Sequence, residues 1–264
     1  FNTGLTADNL TLGLGRMLKW PDNYFTLTNA LSYEVYSING LDYGIGCLTC
    51  VSRAITFNTT LARNSVDNQM YPSQGSLVSL SLTLTPPYSA FNDLNYETAT
   101  PAEKNKWQEY HKWMFDAKYY VPLDNKKKLV LEAKVHFGFI GAYNKEKTGI
   151  GPFERFVLGG SGLAGGFNSF VLGKEIIGLR GYEDNQITPP TYTAGNSQSQ
   201  IGGVVYEKLG IELRYPVTTG NAATIYGLIF TEAGNNWGQY EDFNPFKLYK
   251  SAGVGARIFM PAFG

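Results

Sequence analysis

The 264-residue sequence predicts an all-β protein, a transmembrane antiparallel β-barrel wall of about nine strands, on three observations. Apolar residues alternate with small polar ones at period two through most of the chain, the pattern of strands whose faces meet different surroundings. Charged residues make up 17%, Tyr and Phe number 18 and 16, and mean hydropathy is −0.19. No run approaches the ~18 apolar residues that a membrane helix needs. Connections between strands alternate short and long, as do the periplasmic turns and extracellular loops of outer-membrane barrels. Composition alone would also suit a secreted β-sandwich, but a soluble sandwich has no reason to sort its loops by length.

The first strand covers residues 10–18 and stops at Trp20-Pro21-Asp22-Asn23, a turn by composition. Over residues 24–38, Phe25, Leu27, Leu31, Tyr33 and Val35 share one face, and Thr26, Thr28, Ala30, Ser32 and Glu34 the other. Past a loop at 39–46, Val51, Ile55, Phe57 and Leu61 oppose Ser52, Thr56, Asn58 and Thr60. After Tyr71-Pro72-Ser73-Gln74-Gly75, Leu80, Leu82 and Leu84 alternate with serine and threonine until Pro86-Pro87 opens a polar loop. Trp113, Phe115, Tyr119 and Val121 continue the outer face. Beyond Asp124-Asn125 so do Leu129, Leu131, Val135, Phe137 and Phe139, with Glu132, Lys134 and His136 opposite. Three more strands are expected at 201–216, 224–237 and 249–261. Nine strands leave two open edges, which in hydrocarbon would cost several kcal/mol per unpaired backbone group. The complete barrel is therefore expected to hold further strands.

Several classes of function are set aside. Net charge is zero, which gives nucleic acid no reason to bind. Cys47 and Cys50 form a C-x-x-C without a helix start or a second Cys/His pair. In extended chain their Cα atoms would lie ~10 Å apart, too far for a disulfide, so they are read as small wall residues. A disulfide there requires a turn. No Ser-His-Asp set, catalytic carboxylate pair or metal cluster is evident, and neither enzymatic activity nor a cofactor is expected.

The long connection at 145–200 carries the most information. Gly160-Ser161-Gly162-Leu163-Ala164-Gly165 imitates a G-x-G-x-x-G dinucleotide string, with Glu183 and Asp184 about twenty residues on. Its context refuses that reading: Gly166-Phe167-Asn168-Ser169 cannot start a helix, and no βαβ unit surrounds it. Arg180 lies between Gly178-Leu179 and Gly181-Tyr182. Glycines allow close approach to a wall, so Arg180 is either a solvated loop-tip residue or a lumenal cation in need of carboxylates. Glu212 falls on the inner face of its strand, because Leu209, Ile211, Leu213 and Tyr215 take the outer one. Glu232 is ambiguous, since Tyr226, Leu228 and Phe230 share its phase.

Gly178-Leu179-Arg180-Gly181-Tyr182-Glu183-Asp184 resembles the (V/I)RG(F/Y) motif of the BamA family of outer-membrane barrel-assembly proteins, with leucine at the first position. Phe156-Val157-Leu158-Gly159-Gly160, Tyr71-Pro72-Ser73-Gln74-Gly75-Ser76 and the closing Gly253-Val254-Gly255-Ala256-Arg257 are similar to that family too. The resemblance implies a sixteen-stranded barrel of which 1–264 supplies strands six to fourteen, the terminal strands and POTRA domains lying outside it. It implies that 145–200 folds from outside into the lumen, with Arg180 paired to Glu212 and Glu232. Replacing either side of that pair is then expected to have the same effect. The implied function is folding and insertion of client β-barrel proteins into the Gram-negative outer membrane, without cofactor. Lipid, unfolded clients and accessory lipoproteins are the implied partners. A two-partner secretion pore or a passive porin-like barrel is the alternative.

Overall fold

A computed structural model describes residues 4–40, 47–162, 173–189, 191–192, 198–199, 202–220 and 223–260. The wall contains β1 (Gly4–Met17), β2 (Phe25–Asn39), β3 (Thr49–Asn64), β4 (Gly75–Leu84), β5 (His111–Pro122) and β6 (Val130–Gly141). Inside the next connection lie β7 (Phe156–Leu158), β8 (Glu175–Ile177), β9 (Thr191–Tyr192) and β10 (Gln198–Ser199). β11 (Val205–Thr219), β12 (Thr224–Trp237) and β13 (Tyr249–Phe259) complete the wall. The nine wall strands form one sheet in the order β1-β2-β3-β4-β5-β6-β11-β12-β13, each antiparallel to its neighbours. β7 and β8 pair in parallel apart from it.

Nine strands stand where alternation placed nine, with shifted ends. β1 starts at Gly4, not Leu10, because its polar first half is held by pairing with β2 (Asp8 opposite Val35) and not by burial. β11 starts at Val205; Ile201 and Pro261, the expected ends of two strands, lie outside the described residues. The short connections are 18–24, 123–129 and 220–223; the long ones are 85–110, 142–204 and 238–248. Connections 40–48 and 65–74 are of similar length, so the sorting is less clean than expected there.

One face of the wall is apolar and exposed: Leu31, Tyr33, Phe57, Leu61, Leu80, Tyr119, Ile211, Tyr215, Ile229 and Val254 all project from it. Such a continuous band exceeds what a water-soluble surface carries and matches the lipid-facing band of a barrel. The opposite face buries Ser32, Ser52, Thr56, Lys112, Glu132, Glu212, Arg214 and Glu232.

That face is concave, and the chain itself shows it. Phe153 stacks on Tyr36 of β2 with ring centroids 5.4 Å apart. The carbonyl of Phe156 accepts from Asn236 Nδ2 of β12 at 2.8 Å. β2 and β12 are six strand steps apart in the sheet order, about 29 Å in a flat sheet at ~4.8 Å per step. Three residues of chain reach at most about 11 Å, and side chains stand off a sheet and not along it. The sheet curves around the inserted segment.

Cys47 and Cys50 are joined by a disulfide, which corrects the expectation of two unpaired wall residues. The extended-chain premise was wrong. Only Cys50 belongs to β3; the chain turns at Cys47-Leu48, where Gly40 N donates to Leu48 O at 2.8 Å. That turn brings the two Cα atoms to 6.2 Å, within disulfide reach.

Candidate functional site

The inserted segment is built on glycine. Gly159 (φ +135°) and Gly160 (φ +67°) take positive φ, and a Cβ on Gly159 would lie 2.4 Å from the carbonyl oxygen of Glu183. Both positions therefore need glycine. Their amides close the segment on itself, Gly159 N donating to Ile177 O at 3.0 Å and Gly160 N to Tyr182 O at 3.1 Å. Gly178 is pressed against the Ser161-Gly162 backbone, where a Cβ would sit 2.7 Å from Gly162 N. The glycines of the G-x-G-x-x-G imitation that are described, Gly160 and Gly162, thus serve close backbone contact within the loop. Residues 163–169, on which refusal of the dinucleotide reading rested, lie outside the described residues.

Phe156, Leu158, Ile177 and Leu179 are buried in one cluster with Ile140, Val204, Val205, Tyr206 and Trp237 of the wall region. Room for it is cut into β6: a Cβ on Gly138 would lie 2.5 Å from Tyr206 and 3.3 Å from Phe156. At the far end Tyr182 donates its hydroxyl to Lys250 O of β13 at 2.8 Å. Gly181 (φ +86°) passes so close to β13 that its Cβ would be 3.2 Å from Ser251 Cβ. Of the two glycines framing Arg180, then, Gly181 faces the wall and Gly178 faces the loop.

Between these anchors Arg180 turns onto the concave face. Its Nη2 lies 2.6 Å from Glu212 Oε1 and 2.7 Å from Glu232 Oε1, and its backbone N donates to Glu232 Oε2 at 3.0 Å. The guanidinium carbon is 3.6 Å from the Phe230 ring centroid, a stacked cation–π contact. The geometry is one nitrogen bridging two carboxylates. Burial alone would lower the guanidinium pKa, but the Glu232 and Glu212 carboxylates outweigh it and raise it.

Both glutamates are buried, at 0% and 1% exposure, which resolves the ambiguity at Glu232. Tyr226, Leu228 and Phe230 share its phase because they too point inward, while Ile229 and Thr231 face out. Tyr226 and Leu228 pack with Tyr71, Tyr120 and Val130, and Phe230 lies under the Arg180 guanidinium, so this inward face need not be polar.

More groups converge here than sequence reasoning found. Lys134 Nζ lies 3.2 Å from Glu212 and 2.7 Å from Glu232. Lys208 approaches Glu232 at 3.4 Å and donates to Gly178 O. Arg214 bonds Glu212 at 2.8 Å and also contacts Glu132, and Arg257 reaches Glu212 at 3.1 Å. Gly210 makes the crossing possible, since a Cβ there would come within 2.4 Å of the Lys134 side chain. The sequence did carry a signal: Glu132, Lys134, Lys208, Gly210, Glu212 and Arg214 keep the inward phase of β6 and β11, and a mid-strand glycine marks close approach.

An antiparallel wall with an apolar outer face, whose concave side is filled by an ion-paired loop, defines a membrane β-barrel with an inserted loop. This chain belongs to the Omp85 superfamily, whose domain matches residues 2–264. Its fold is similar to that of BamA from Haemophilus ducreyi lacking POTRA domains 1–3, with a TM-score of 0.64 at 15% identity. The match covers 96% of this chain and 48% of that one, so this chain spans about half its length.

Proposed function

We propose that this chain is the barrel part of an outer-membrane assembly factor that folds and inserts client β-barrel proteins into a Gram-negative outer membrane without cofactor. In this reading the wall continues into further strands beyond β1 and β13, the long connections face the exterior, and accessory lipoproteins assist. Membership of the Omp85 superfamily supports the class of activity. The observation that carries the mechanism is the pair of buried carboxylates bridged by Arg180. Gly178, Leu179, Arg180, Gly181 and Tyr182, with Gly159 and Gly160 behind them, act as a lock. The lock stiffens the middle of the wall, so that opening is confined to strands the loop does not grip. An opened edge presents unpaired backbone donors and acceptors, which template an incoming strand.

The test is folding of a urea-unfolded outer-membrane β-barrel client on lipid vesicles containing the full-length protein, read as the gel shift of the folded client. Folding faster than on empty vesicles, with no nucleotide added, is the expected result. An unchanged rate would refute insertase activity. Steady large single-channel conductance in a planar bilayer would mark a translocation pore instead.

A further inference from the structure

On the short-turn side of Arg180 the lumen holds a cavity of about 350 Å³, lined by Lys118, Lys134, Arg214 and Arg257 with Glu132 and His136. Lys118 of β5 stands directly opposite Lys134 of β6 in the register. Directly opposed like charges destabilise a sheet, and burial out of water sharpens the repulsion. Lys134 resolves its half by reaching over Gly210 to Glu212 and Glu232. Arg214 is taken by Glu132 and Glu212, and Arg257 by Glu212. Lys118 has no ion pair among the described residues. Among the described residues of this layer six cations (Lys118, Lys134, Arg180, Lys208, Arg214, Arg257) face four carboxylates (Asp116, Glu132, Glu212, Glu232), an excess of two positive charges.

We infer that this chamber is an anion site for a phosphate-type dianion, with Lys118 as its unpaired ligand and Arg214 and Arg257 on its flanks. The charge excess selects the class. A phosphate monoester or inorganic phosphate carries two charges and several acceptor oxygens, matching cations that converge from β5, β11 and β13. A phosphodiester, as in a phospholipid headgroup, carries one charge and leaves half the excess unmet. The inference does not depend on which clients the barrel serves, and it fails or stands separately from the insertase reading.

The experiment is calorimetric titration of the full-length protein in detergent with inorganic phosphate, at constant ionic strength and above its second ionisation. Dimethyl phosphate serves as the diester probe. One saturable phosphate per chain is expected, with dimethyl phosphate and the Lys118→Gln variant each weaker by about tenfold or more. Lys118→Arg keeps the charge and should bind within a few-fold of wild type. Phosphate should also raise the heat-modification temperature of wild type, since a ligand that binds only the folded state stabilises it. Absence of saturable phosphate binding to folded wild type would overturn the assignment. So would equal affinity for dimethyl phosphate, or an unaltered isotherm in folded Lys118→Gln.

Discussion

Removing Arg180 and removing its carboxylates are unequal perturbations, although the sequence alone makes them look alike. Among the described residues five cations (Lys134, Arg180, Lys208, Arg214, Arg257) surround Glu132, Glu212 and Glu232. Arg180→Ala takes away one cation from a layer already positive by two. Glu212 keeps Lys134, Arg214 and Arg257; Glu232 keeps Lys134, Lys208 and the backbone N–H of residue 180. The loss is then two charge-assisted hydrogen bonds partly replaced by others, about 1–3 kcal/mol. It is local, because Leu179 and Tyr182 still anchor the loop. Glu212→Gln with Glu232→Gln leaves those five cations facing Glu132 alone, an excess of four charges in a buried layer. Stripping one partner from a buried ion pair costs about 3–5 kcal/mol, and here the penalty reaches β6, β11, β12 and β13 together. Hydrogen exchange and heat-modifiability of the full-length protein separate the two. Arg180→Ala should raise amide exchange at 179–182 by roughly 5- to 150-fold with little change in heat-modification temperature. The double glutamine variant should lower that temperature markedly. An Arg180→Ala barrel as heat-labile as the double variant would refute the reasoning.

Three further outcomes follow from single contacts. Gly178→Ala sets a Cβ 2.7–2.9 Å from backbone atoms of Ser161 and Gly162, an overpacking worth about 1–3 kcal/mol. Its loop amides should exchange faster, while Gly227→Ala, with nothing within 4 Å, should match wild type; equal behaviour of the two would be contrary evidence. Tyr71→Phe removes the hydroxyl that reaches Lys128 O at 2.7 Å and Arg214 O at 3.2 Å. It should cost about 1–2 kcal/mol, read as a lower heat-modification temperature, and an unchanged temperature would show those carbonyls are satisfied otherwise. Burial alone would raise the Asp67 pKa, but the bonds it accepts from the Ser73 hydroxyl and amide and from Gln74 N outweigh this and lower it. A carboxyl depressed in the folded state stabilises its turn above the unfolded value of ~3.9 and loses that as pH falls through the folded value. Protection of the Ser73 and Gln74 amides should therefore decline in acid, and Asp67→Asn should remove that decline.

The wall was legible in the sequence because alternation is a local signal: Leu31 and Tyr33 against Ser32 and Glu34 need no knowledge of partners. Glu212 was assigned its face for the same reason. Glu232 was not, since Tyr226, Leu228 and Phe230 look like lipid-facing residues until Tyr71 and Tyr120 pack against the first two and Arg180 stacks on the third. The cations Lys134, Lys208, Arg214 and Arg257 had the right phase, but which of them reach the glutamates depends on register between β6, β11, β12 and β13, a long-range property. Cys47 and Cys50 were misjudged because one turn at residues 47–48 changes their separation, and residue type there gave no turn signal.

The segment that stacks Phe153 on Tyr36, ties Phe156 to Asn236 and hooks Tyr182 onto β13 spans the wall the way a tie-rod spans an arch. An arch so braced resists spreading between the points the rod joins and yields outside them. The braced points run from β2 to β13 in the strand order. Deformation imposed on this wall, by membrane thinning for example, is therefore taken up outside the braced span and not at Arg180.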